Sequence, residues 1–157
     1  MSACRKILLP TAFTESCARA RAHAVALAHR YGAELHVLHV QVLHAEPLAF
    51  SELPGVADIE TALSQAAQRQ AEVFVKDIDL PVVKAISREI TASPAILDYA
   101  EQNACDVIVM GTHARRGLAH LFLGSEAVEV VRRAKVPVLV VGPEHAETPP
   151  PYQTILV

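Results

Sequence analysis

Short apolar runs rich in Val, Ile and Leu alternate with longer segments of helical period along almost the whole chain. The runs are Ile7-Leu8-Leu9, Leu35 to Val42, Val82 to Ser87, Asp106 to Met110 and Val136 to Val141. Between them Cys17, Ala20, Ala24, Leu27, Ala28 and Tyr31 recur at helical spacing, as do Ile59, Ala62, Leu63, Ala66, Val73 and Phe74. Ile96, Leu97 and Ala100 mark a third helix, and Val128, Val131 and Ala134 a fourth. Punctuation agrees with this reading. Pro10 stops the first run, and Thr14 offers a helix N-cap with Glu15 in the first turn. Gly32 sits where a left-handed C-cap belongs, Pro81 breaks the second helix, and Ser93-Pro94 reads as an N-cap followed by Pro at the first helical position. Strands alternating with helices imply an α/β fold with a parallel sheet and helices on both faces. Runs that are apolar without alternation are those of strands buried on both sides.

A chain of 157 residues suits one such domain, and an apolar fraction of 52% is enough to bury a core. Aromatics are only 4% and Trp is absent, so that core is aliphatic. A net charge of -3 gives no global positive field and argues against a nucleic-acid-binding protein. No apolar run reaches the ~20 residues of a membrane helix, and the apolar stretch before Pro10 is too short for a signal peptide. Three scattered cysteines, Cys4, Cys17 and Cys105, make no disulfide framework. Together these predict a cytoplasmic protein with no membrane partner.

In an open parallel sheet the ligand sits beyond the carboxyl ends of the strands, at the point where strand order reverses. The loops after the first, second and fourth strands are the places to search, and the most telling is the last, Gly111 to Ser125. It holds His113, Arg115, Arg116 and His120 and no carboxylate, and Gly124-Ser125 opens a helix at its end. A helix N-terminus and turning backbone N–H groups favour an anion, so a phosphate-binding loop is one reading. A glycine turn, a helix cap and solvated arginines are the other. Metal chemistry is not indicated. His36 and His39, three apart in a strand, point to opposite faces, and His23 and His29 are badly spaced on a helix. No Cys or Ser has a patterned base beside it, so no catalytic residue is assigned.

Several segments in order resemble the universal stress protein family: Ile7-Leu8-Leu9-Pro10-Thr11, Tyr31-Gly32-Ala33-Glu34-Leu35, Cys105-Asp106-Val107-Ile108-Val109-Met110-Gly111-Thr112-His113, Leu123-Gly124-Ser125 and Pro137-Val138-Leu139-Val140-Val141. The resemblance implies a Rossmann-like, adenine nucleotide alpha hydrolase-like domain over residues 1–141, with a five-stranded parallel sheet in the order 3-2-1-4-5. It implies an adenine-nucleotide site, in some members only, at Pro10, Thr11, Ala12, Val40, Met110, Gly111, His113, Ala114, Arg115, Gly124, Ser125 and Glu126. It also implies dimerisation through the last strand, and a stress-response module rather than an enzyme, with a slow ATPase as the remaining catalytic alternative. Related folds that cleave the α-phosphate of ATP use a Ser-Gly-Gly-x-Asp-Ser or His-x-Gly-His motif, and neither is present.

The chain departs from the family pattern at three places. Ala12 stands where an Asp is usual, Ala114 at the second Gly of Gly-x2-Gly-x9-Gly-Ser/Thr, and Glu126 where a small apolar residue is usual. Each weakens the hold on a nucleotide: a lost acceptor, a Cβ where backbone must turn, and a negative charge facing phosphates. Two readings of function follow: a nucleotide-sensing module that holds ATP or AMP weakly, or an interaction and dimerisation module without nucleotide. Residues 142–157 form a Pro-rich linker containing Pro149-Pro150-Pro151. Its end, Ile155-Leu156-Val157, echoes Ile7-Leu8-Leu9 and suggests the first strand of a following domain, so the self-partner at strand 5 is expected to be a second copy or a tandem domain.

Overall fold

The computed structural model describes residues 4–42, 55–112 and 124–142. The elements are β1 (Lys6–Thr11), α1 (Glu15–Tyr31), β2 (Glu34–Val42), α2 (Val56–Val75), β3 (Val82–Glu89), α3 (Ala92–Gln102), β4 (Val107–Gly111), α4 (Ser125–Arg133) and β5 (Val138–Val141). The strands form one sheet in the order β3-β2-β1-β4-β5, and every pairing is parallel. This is the order the family resemblance implies.

Side chains alternate between the two faces of each strand, and two cores result. Ile7, Leu9, Leu35, Val37 and Val109 pack under α1 and the end of α2, together with Leu27 and Phe74. Leu8, Leu38, Ile108 and Met110 pack under α3 and α4, against Ile96 and Val130. Both faces are apolar, which is why the strand runs show no polar alternation. Ala20, Ala24 and Ala28 are fully buried in α1. Their small side chains let this helix lie close to the sheet. Gly32 ends α1 at φ 63°, in the left-handed region, with its N–H returned to the Ala28 carbonyl.

The structure corrects four local readings. Pro10 lies inside β1 instead of stopping it, in register with Leu38 of β2. On its other side β1 pairs with β4 only at Ile7↔Val107 and Leu8↔Ile108. The missing Pro10 N–H therefore falls beyond the last pair between β1 and β4, where it leaves no broken ladder. Thr14 does precede α1, but its side chain makes no capping bond. Its hydroxyl meets Ser16 Oγ and donates to Cys17 Sγ. In α3 the N-cap is Thr91 and the helix starts at Ala92, so Ser93-Pro94 lies inside its first turn. The bounds of β4 and β5 also shift: Asp106 lies before β4, where its carboxylate accepts the N–H groups of Arg5 and Lys6, and β5 starts at Val138. The linker and strand-like tail beyond Gly142 lie outside the described residues.

Candidate functional site

The early end of the β1–β4 pairing opens a crevice at the carboxyl ends of the central strands. A cavity of about 360 Å³ lies there. Its floor and one wall come from β1 and the turn after it, through Pro10, Thr11 and Ala12, with Cys17 of α1 below. Leu38, Val40 and Val42 of β2 and Met110 and Gly111 of β4 line the middle. The far wall is the first turns of two helices: Ala92 and Ile96 of α3, then Gly124, Ser125, Glu126 and Ala127 around the start of α4. Nine of the residues singled out in the sequence thus share one cavity. His113, Ala114 and Arg115, with Arg116 and His120, lie outside the described residues.

The turn after β1 is tightly held. Phe13 adopts φ 58°, a conformation unfavourable for a side chain with a Cβ. Three contacts hold it there. Its N–H donates to Thr11 Oγ1 at 3.0 Å, and its ring lies 4.5 Å from the His39 ring and 5.5 Å from the Phe74 ring. His39 Nδ1 in turn donates to the Thr11 carbonyl at 2.8 Å. The Ala12 N–H and the Thr14 hydroxyl both donate to Cys17 Sγ at 3.3 Å. The Asp-less turn is therefore ordered by aromatic packing and by a thiol.

The two described glycines of the loop sequence differ. A Cβ on Gly111 would meet the backbone of α1, with Ser16 C at 2.7 Å and Ser16 O nearer still. Gly111 is required because α1 passes there. Gly124 precedes α4 with φ -57°, and a Cβ there meets nothing within 4 Å among the described residues. Neither its φ nor its described neighbours demand glycine at that point.

Glu126 carries the only charge among the described cavity-lining residues. Its Oε2 accepts the backbone N–H of Ser93 at 2.7 Å. A carboxylate from the first turn of α4 thus caps α3, in the place where helix N–H groups lack partners. Sequence reasoning missed this bond, and it missed Cys17, Leu38, Val42, Ala92, Ile96 and Ala127 as cavity residues. The apolar spacing of Ile96 was a signal, but for burial and not for a cavity.

Other polar groups have structural occupations. His36 faces away from His39, bonded to the Tyr99 hydroxyl at 3.0 Å and to Glu34 at 3.1 Å. Among the described residues no group of three or more His, Cys, Asp or Glu side chains is placed to hold a metal. A second cavity of about 400 Å³ lies at the other end of α3 and α4, beside Cys105 and an ion pair of Lys135 with Glu101 at 2.7 Å. Burial pushes the Cys105 thiol up to about 11, so at neutral pH it is a protonated thiol and a poor nucleophile. No described helix is long and apolar enough to cross a membrane.

The sequence matches the universal stress protein family over residues 3–142. The chain belongs to that family. Universal stress protein MJ0531 of Methanocaldococcus jannaschii is 31% identical over 142 residues, covering 87% of this chain and 81% of that one. The solved structure of MJ0577, a universal stress protein of the same organism, superposes with a TM-score of 0.76 at 28% identity over 92% of this chain and all of the other. A universal stress protein from Archaeoglobus fulgidus, solved in complex with dAMP, shares the fold at a TM-score of 0.61 and 17% identity, over 89% of this chain and 99% of that one.

Proposed function

We propose that this universal stress protein domain is a cytoplasmic regulatory module that responds to an adenine nucleotide held in the cavity at the ends of β1, β2 and β4. The observation that carries this is the cavity's two-part character. Apolar side chains of Val40, Met110 and Ile96 offer a slot for a flat base, and the N-terminal end of α4 at Gly124-Ser125 offers backbone N–H groups to a phosphate. A relative of the same fold holds dAMP, which supports the ligand class. The grip is weak in this reading. Ala12 supplies no carboxylate to ligand hydroxyls, each such hydrogen bond being worth roughly 0.5–1.5 kcal/mol, and Ala114 stands at a glycine position of the family pattern. ATP affinity is then no better than the high micromolar range, about two tenfold losses below an intact site. Restoring the pattern with Ala12→Asp, Ala114→Gly and Glu126→Val improves it.

A specific observation also favours a second reading, an interaction module with no nucleotide: the one charged group on the described cavity wall is an anion. In either reading the edge of β5 pairs with its equivalent, in a second copy or in a tandem domain, because an open strand edge presents unpaired N–H and C=O groups. A thermal-shift titration with ATP, ADP, AMP and cyclic AMP separates the two. A ligand at 100 times its dissociation constant adds about 2.7 kcal/mol to stability. No shift with any of the four leaves the interaction module, and a strictly monomeric species by light scattering removes the edge pairing.

A further inference from the structure

Glu126 and Ser93 are each the second residue of their helix, α4 and α3. Their bond at 2.7 Å places one carboxylate between the N-terminal ends of both. Those two ends are the anion-attracting features of the described cavity wall. In α3, Pro94 follows Ser93 and has no N–H, so Glu126 takes a donor that the first turn has few of. In α4, the same carboxylate sits one residue past Ser125, where a phosphate would reach the helix. It is not free to swing away, because turning it outward would strip the Ser93 N–H of its partner.

Resting on the nucleotide reading above, we infer that Glu126 selects the ligand by charge: it is an anion pinned at the exposed rim of the cavity that makes the site prefer adenosine and its monophosphates over ADP and ATP. Adenosine carries no phosphate to repel, a monophosphate one group, and ATP a chain of them that must pass this carboxylate. The repulsion grows with ligand charge while the base contacts stay the same, so discrimination is built into one side chain.

The test is a binding series by calorimetry with adenosine, AMP, ADP and ATP on the wild-type protein and on Glu126→Gln. Gln keeps an oxygen for the Ser93 N–H and removes the charge. In the wild type, affinity is expected to fall from the monophosphate to ATP. In Glu126→Gln, ATP is expected to gain about tenfold and adenosine to stay unchanged, the size that Coulomb repulsion of several charges gives near a wet surface. A companion measurement needs no variant. Raising salt should narrow the gap between AMP and ATP by screening the repulsion, whereas a site dominated by attraction to arginines would lose ATP affinity instead. An unchanged ranking in Glu126→Gln, or loss of ATP affinity with salt, overturns the role of Glu126 and leaves the nucleotide site standing. Failure of all four ligands to bind either protein overturns the site and this inference with it.

Discussion

The two walls of the cavity are built differently. On the β1 side, backbone meets backbone: the start of α1 passes so close to Gly111 that no side chain fits, and Phe13 is locked at a positive φ between two rings. On the α3–α4 side, two helix ends are joined by a hydrogen bond from backbone to carboxylate, and no described residue crowds Gly124. The first wall is fixed by the fold itself. The second is held by a side chain, Glu126, rather than by the path of the backbone. Two glycines that look equivalent in the sequence therefore carry different obligations, and substitution is the way to tell them apart.

The largest effect is expected from Gly111→Ala. A Cβ against the Ser16 backbone has nowhere to go, and the shift it forces should cost more than about 3 kcal/mol. Denaturant unfolding measures this, and a loss below about 1 kcal/mol would erase the distinction between the walls. Phe13→Ala comes next. It keeps the strained φ and removes the stacking on His39 and Phe74, for a loss of about 2 kcal/mol at this half-buried position, read from the same experiment.

A smaller effect belongs to the far end of α3 and appears only in alkali. Cys105 has its pKa raised from 9.0 to about 11 by burial. The unfolded chain gives up this proton first, so stability is unaffected below pH 9 and falls as pH rises from 9 towards 11. Cys105→Ala should flatten that decline in a pH series of unfolding midpoints. A decline equally steep in the variant would assign it to other groups. Gly124→Ala is the smallest, within about 0.5 kcal/mol of wild type, yet it should weaken AMP binding by crowding the approach to the α4 end. Large destabilisation there would mean that the second wall is as constrained as the first.

Much of the fold was legible because the strands are uninterrupted Val, Ile and Leu runs and the helices keep their period. The start of α3 was not. Thr91-Ala92-Ser93-Pro94 contains two residues that cap helices well, and local propensity does not choose between them. The structure does. Glu126 satisfies the Ser93 N–H from a distant part of the chain, and the helix begins two residues earlier than Ser93-Pro94 suggested. The same bond explains why Glu126 reads in sequence as a repelling charge and in space also as a clamp. Gly111 was legible as special, but its sequence neighbours gave no hint that Ser16 was the reason. Pro10 misled for a related cause: its missing donor matters only where a neighbour strand needs it, and the register that decides this belongs to β4.

That short register between β1 and β4 has a consequence for biosynthesis. β1 leaves the ribosome before every other strand, yet one of its edges stays open until β4 arrives, after β2, α2, β3 and α3 have been made. Leu8 and Ile108, fully buried in the finished domain, are neighbours that must wait for each other. Until β4 is made, that edge of β1 has no partner strand in this sheet, and apolar edges of this kind are surfaces on which chaperones act. The cavity walls run from Pro10 to Ala127, so the pocket does not exist until α4 has docked. A ligand there stabilises the completed domain alone and offers the growing chain no protection.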